Sequence, residues 1–227
     1  MLCIPGFSAG DNSNFPLAAV IRTNGCRPAK SGLPRNEGPS ERVLRRLDQR
    51  LEHLAEVSGR RVSVVGVSLG GVFARRLARR YPELVRQVVT IGSPIRFDDD
   101  QRGGSRLVTA MWNRSASRFD PAAMEELQQR EETKAPLTVP ATSIHSRLDG
   151  VVPWVRSLDE PGELSENIEV RGASHVGLIV HPGVHLVLAD RIRQREGEWR
   201  PFRIPSGAGT LIARAEAYDH QRARRPA

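Results

Sequence analysis

The run Arg61-Val62-Ser63-Val64-Val65-Gly66-Val67-Ser68-Leu69-Gly70-Gly71-Val72-Phe73-Ala74-Arg75 constrains this chain more than any other stretch. Valines at 62, 64, 65 and 67 make a β-branched segment that reads as a buried strand. The pattern after Leu69 is helical. A Gly-x-Ser-x-Gly core joins the two, so the backbone must turn sharply at Ser68. A turn of this kind holds its central residue in a sparsely populated conformation, at a cost of roughly 1–3 kcal/mol. Residues two positions either side pass close to each other, which glycine at 66 and 70 permits. Ser68 then stands at the start of a helix, where N–H groups and the helix dipole favour nearby negative charge. The five-residue pattern alone also occurs in ordinary strand–turn–helix units. The flanking strand and helix, and the residues downstream, give it weight here.

The same alternation continues on both sides. Leu2-Cys3-Ile4-Pro5-Gly6-Phe7 reads as the end of a short buried strand running into a loop, and Phe15 to Ile21 as a short helix. Gly25 to Pro39 carries no clean period. Ser40 caps an amphipathic helix that buries Leu44, Leu47, Leu51 and Leu54 and closes at Gly59. Leu84 to Ile91 and Val139 to His145 read as further strands, Ile168 to Val170 as the last strand, and Pro182 to Arg193 as the closing helix. Strands separated by helices at this rhythm imply an α/β fold, with a mostly parallel sheet flanked by helices. From Asp98 to Pro136 the rhythm breaks into a polar loop and two helical segments, Ser105–Arg114 and Pro121–Thr133. This stretch is expected to form a short helical cap over the sheet's C-terminal edge. The expected organisation is one domain over 1–200, cap included, followed by a loosely packed basic tail over 201–227. Only one residue precedes Leu2, so the sheet is expected to be trimmed on that side, or the natural start to lie upstream. An unpaired edge there predicts self-association as a homodimer.

Composition narrows the classes. A chain of 227 residues suffices for one α/β core. The net charge of +8 comes almost wholly from arginine, since Lys30 and Lys134 are the only lysines. The arginines are spread along helices rather than gathered into one patch, apart from Arg222, Arg224 and Arg225, so no nucleic-acid partner is expected. No window reads as a membrane span and no secretory leader is visible, which makes a cytoplasmic location the expectation. Cys3 and Cys26 are too few for a disulfide framework, and no His/Cys group has metal spacing.

A serine hydroxyl becomes a useful nucleophile only beside a base that takes its proton, and that base needs an acid to orient it. Asp149 follows a strand end in Ser146-Arg147-Leu148-Asp149-Gly150-Val151-Val152-Pro153, where functional residues of α/β sheets gather. Asp98, Asp99 and Asp100 also follow a strand and are the rival acids. His175 lies in a small-residue loop between the last strand and the last helix. His181 and His185, close by, read as capping or packing residues, and His53 and His220 have no catalytic context. Oxyanion donors would be the N–H of Leu69, after the serine, and that of Phe7, after Pro5-Gly6. Met111 and Trp112, on one face of the first cap helix with Leu107 and Val108, are the candidate substrate-binding residues.

These motifs together, from Leu2 to about residue 202, resemble the α/β-hydrolase superfamily, and within it a bacterial esterase/lipase-like group. The resemblance implies ester hydrolysis through an acyl-enzyme, with a Ser-Asp-His triad, no cofactor and no metal, on a small-molecule ester or lipid-like substrate. Thioesterase or acyltransferase chemistry on the same machinery, or a catalytically silent binding fold, are the alternatives. The chain departs from the family in lacking one or two strands before the Pro-Gly-Phe loop, and in carrying Pro5-Gly6 where many lipases have His-Gly.

Overall fold

Residues 62–67 are buried along their whole length, because the strand they form lies in the middle of a sheet covered on both faces. The computed structural model describes residues 1–96, 119–132, 136–160 and 162–215. Among these residues seven strands form one sheet, β1 (Leu2–Ile4), β2 (Ala29–Lys30), β3 (Val62–Val67), β4 (Val85–Ile91), β5 (Ala141–His145), β6 (Ser165–Val170) and β7 (Ile212–Arg214). Their order is β2-β1-β3-β4-β5-β6-β7. The pairs from β2 to β6 are parallel and only β7 runs antiparallel. Ile4 pairs with Gly66, and Val67 with Ile91, so the C-terminal ends of β1, β3 and β4 lie side by side.

Five α-helices among the described residues cover the sheet: α1 (Phe15–Thr23), α2 (Glu41–Ser58), α3 (Leu69–Arg80), α4 (Pro121–Glu132) and α5 (Pro182–Arg193). The period of two along each strand sends alternate side chains to opposite faces. Val62 and Val64 join Leu44, Leu47, Leu51, Phe73, Leu77 and Leu127 on one face. Val65 and Val67 join Leu17, Ile21, Val184, Val187 and Leu188 on the other. Helix α2 starts as its sequence requires, with the Ser40 hydroxyl accepting from the N–H of Val43, and stops at Gly59 in the left-handed region.

Several arginines lie in the interior rather than on the surface. Arg75 and Arg76 are each 3% exposed. Arg75 donates to both oxygens of Asp159, at 2.5 and 3.0 Å, and Arg76 joins Asp48 on α2 to Glu126 on α4. Arg191 pairs with Glu166 at 2.6 Å and with Asp190. A buried charge without such partners would cost several kcal/mol, so these pairs fix how α3, α4 and α5 sit on the sheet.

Three expectations need correction. First, β1 is not an edge: the unforeseen strand β2 pairs with it at Leu2–Ala29 and Cys3–Lys30, which removes the premise for self-association through β1. Second, residues 201–215 do not pack loosely. Phe202 and Ile212 are buried, β7 closes the open edge of β6, and the N–H of Phe202 donates to Glu166. A free strand edge and an unfilled apolar face both favour that docking. Third, it follows that β6 is not the last strand. The second cap segment forms helix α4. Ala123 and Leu127 of α4 join the core cluster that includes Leu44, Leu47 and Phe73 of α2 and α3. The first cap segment and residues 216–227 lie outside the described residues.

Candidate active site

Ser68 has φ +52° and ψ −124°, the strained conformation that the Gly-x-Ser-x-Gly turn demands. The glycines are required by contact rather than by habit. A Cβ at Gly66 would meet the carbonyl oxygen of Gly70 at 2.2 Å, one at Gly70 would meet that of Ile4 at 2.3 Å, and one at Gly71 would meet Ser93 Oγ at 2.0 Å. Helix α3 begins at the next residue, Leu69. Of its first-turn N–H groups, that of Gly71 donates to the carbonyl of Ser68 at 2.9 Å, and the first N–H groups of a helix have no partner in its ladder.

Asp149 ends a tight turn after β5. Its Oδ1 accepts from the N–H groups of Val151 and Val152, both at 2.9 Å, which fixes the carboxylate from behind. Its Oδ2 faces Nδ1 of His175 at 2.7 Å. A carboxylate only accepts, so the shared proton sits on Nδ1 and Nε2 is left as the acceptor of the neutral ring. The Asp149 side chain is 2% exposed and that of His175 14%. The acid is thus sealed in while the base keeps an opening.

Gly92, at the end of β4, connects the serine with this pair. The N–H of Ser68 donates to the carbonyl of Ile91 at 2.8 Å, and Gly92 follows with φ +55°. A Cβ on Gly92 would stand 3.1 Å from Asp149 Oδ2 and 3.3 Å from His175 Nδ1. On the opposite side of the serine, a Cβ on Gly6 would lie 3.2 Å from Ser68 Cβ, so the Pro5-Gly6-Phe7 loop closes over it. Ser68, Asp149, His175, Leu69 and the loop bearing Phe7 therefore gather at the C-terminal ends of adjacent strands.

The rival histidines are engaged elsewhere. Nδ1 of His181 accepts from Gly183 at 3.1 Å and caps α5, while Nε2 of His185 donates to the carbonyl of Ile179 at 2.8 Å. His53 is exposed on α2. Asp98, Asp99, Asp100, Met111, Trp112 and His220 lie outside the described residues. No group of three or more metal-ligating side chains occurs among the described residues, and no helix there is long and apolar enough to cross a membrane.

Two contributors carry no clear signal in the sequence. Gly92 reads only as part of a strand-ending turn. Phe119 stands edge-on to Phe7, with centroids 6.0 Å apart and planes at 90°. A lone aromatic after a polar stretch gives no hint of that contact.

A family model for the alpha/beta hydrolase fold matches residues 22–134. The curated proteins contain no match. Among solved structures, a monoacylglycerol lipase from Paleococcus ferrophilus is similar with a TM-score of 0.59, at 13% identity over 83% of this chain and 93% of that one. A lipase from Bacillus licheniformis gives 0.60 at 15% identity, over 84% of this chain and 90% of its own. A monoglyceride lipase from Saccharomyces cerevisiae gives 0.55 at 15% identity, over 85% of each. At these identities the likeness concerns the fold.

Proposed function

We propose that this chain, a member of the α/β-hydrolase superfamily, is a serine hydrolase that cleaves carboxylic esters through an acyl-enzyme. The observation that carries this reading is the 2.7 Å contact between Asp149 and His175, in a sheet whose strand β3 ends in the strained turn at Ser68. In this reading Ser68 Oγ attacks the ester carbonyl carbon while its proton passes to Nε2 of His175. Asp149 holds the imidazole in the tautomer that can accept it. The oxyanion is held by the N–H groups of Phe7 and Leu69, a contribution of about 2.7–4 kcal/mol per donor. Collapse expels the alcohol, which takes the proton back from His175, and leaves the acyl group on Ser68. Water then gives its proton to His175 and attacks the acyl carbon, which frees the acid and restores Ser68. Side chains, backbone donors and water complete this cycle.

An apolar acyl group suits the surroundings. Leu148, next to Asp149, is 67% exposed, Val176, next to His175, is 75% exposed and Val180 is 58% exposed, so exposed apolar side chains flank the acid–base pair along the chain. The lipase neighbours favour the same substrate class.

A fluorophosphonate probe tests the nucleophile whatever the substrate, because it reacts with any activated serine. Mass mapping should place the label on Ser68, and Ser68→Ala should lose both the label and the hydrolysis of p-nitrophenyl butyrate. Turnover by a folded Ser68→Ala protein overturns the reading.

A further inference from the structure

The loop that carries Phe7 is held by one buried side chain that no motif marks. Asn36 is fully buried. Its Nδ2 donates to the carbonyl of Pro5 at 2.8 Å, and its Oδ1 accepts from the N–H of Gly38 at 3.2 Å. Its own N–H donates to the carbonyl of Ala9 at 2.7 Å, and its carbonyl accepts from the N–H of Ser8 at 2.7 Å. Asn36 therefore grips residues 5–9 on both sides of Phe7, with the side chain at one end and the backbone at the other. The grip also closes a turn in which the N–H of Ala9 donates to Gly6 and Ser8 adopts φ +62°.

A second contact converges on the same place. Gly38 has φ +103°, and a Cβ there would overlap Phe119 at 2.1 Å, so this turn makes the seat for the ring that stands edge-on to Phe7. Backbone on one side and an aromatic ring on the other hold the Phe7 segment between them.

We infer that Asn36 is a positioning residue, which preorganises the Pro5–Ala9 loop so that the Phe7 N–H meets the oxyanion. The inference rests on the hydrolase reading above. Asn36 touches no reacting atom, and its effect falls on the transition state, because a donor must already be aimed where charge develops. Losing an oxyanion donor outright costs about 10²–10³ in kcat. Letting one drift should cost about 10–100-fold, with KM little changed, since the ground-state ester needs that donor least.

The experiment compares full-length wild type, Asn36→Ala, Asn36→Asp and Val43→Ala on p-nitrophenyl butyrate, with hydrogen exchange read at the Ser8 and Ala9 amides. Asn36→Asp keeps the size and the Gly38 bond but replaces the donor to Pro5 with an acceptor. Val43→Ala removes buried volume from the core cluster that Phe7 also packs against, and leaves every Asn36 hydrogen bond in place. Both Asn36 variants should lose about 10–100-fold in kcat with KM within about twofold of wild type, and the loop amides should exchange faster. Val43→Ala should lose stability yet keep its kcat. Full kcat in either Asn36 variant overturns the inference. So does a matching kcat loss in Val43→Ala, or failure of both Asn36 variants to fold, since each would make the role merely structural. The hydrolase reading fails separately, if Ser68→Ala stays active. A wild type that neither turns over nor takes a fluorophosphonate label overturns both.

Discussion

Gly92 leaves no room for a side chain against Asp149, since a Cβ would stand 3.1 Å from the carboxylate oxygen that faces His175. The same Cβ would meet Leu178 Cδ1 at 2.8 Å. Gly92→Ala should therefore push the acid–base pair off its position. A displacement approaching 1 Å can cost about 10² in rate. The expected outcome is a loss of about that size in kcat for p-nitrophenyl esters, in a protein whose circular dichroism is unchanged. An active Gly92→Ala enzyme would show that the pair tolerates the shift.

The orienting role of Asp149 can be tested on its own. Asp149→Asn keeps the shape but can present an amide N–H to Nδ1, which favours the wrong tautomer. Steady-state kinetics should show kcat lower by about 10⁴, the magnitude known for the equivalent change in a serine protease. A nearly silent Asp149→Asn, with a large loss on replacing Asp98, Asp99 or Asp100, would move the acid to that run of aspartates.

The C-terminal stretch should matter to stability. Removing residues 201–227 uncovers the edge of β6 and exposes the sites of Phe202 and Ile212. Each of those side chains contributes about 1.5–3 kcal/mol when buried, so urea unfolding should show a loss of about 3–6 kcal/mol. Light scattering should rise as well, because an open strand edge recruits other chains. A truncated protein as stable as the full chain would mean that β7 is dispensable.

His145 gives the protein an acid-sensitive site. Burial is the main cause that lowers its pKa to about 4, aided by Arg147 and opposed by Glu169. Neither ring nitrogen has a hydrogen-bond partner among the described residues. Below its ordinary value of about 6.5 the unfolded chain binds a proton that the folded chain refuses, so stability falls as pH drops from about 6.5 to 4. The total is roughly 3 kcal/mol, of which about 2 is lost by pH 5. His145→Phe keeps a ring to stack on Trp154, which lies 5.8 Å away. The variant should lose about 2 kcal/mol less than wild type between pH 7 and pH 5 in urea titrations. Equal losses would show that His145 is protonated in the folded state.

The Arg75–Asp159 pair predicts an asymmetry. Asp159→Ala leaves a guanidinium buried without its main partner and should cost about 3–5 kcal/mol. Replacing both, as Arg75→Met with Asp159→Leu, should recover much of that loss, because two desolvated charges disappear together. A double variant that is no more stable than Asp159→Ala would mean the pair contributes more than it costs to bury.

The layout of the sheet's centre is legible in the sequence because it depends on local chemistry. Valines at 62, 64, 65 and 67 can only be satisfied inside a covered sheet, and Gly66 and Gly70 admit a turn that other residues would block. Ser40 and Gly59 set the ends of α2 by capping alone. Asp149 and His175 stand out because each follows a strand end, where a parallel sheet collects its loops. What the sequence could not decide depends on distant partners. Ala29-Lys30 is too short to show a period, and it is a strand only because β1 offers free backbone groups beside it. Residues 201–215 look polar and irregular, and order only against the edge of β6 and the apolar face under α5. The buried arginines of α3 read as surface until Asp48, Asp159 and Glu126 arrive from other elements. Asn36 belongs with these, since four hydrogen bonds from one small amide-bearing residue are decided wholly by what tertiary packing brings within 3.2 Å.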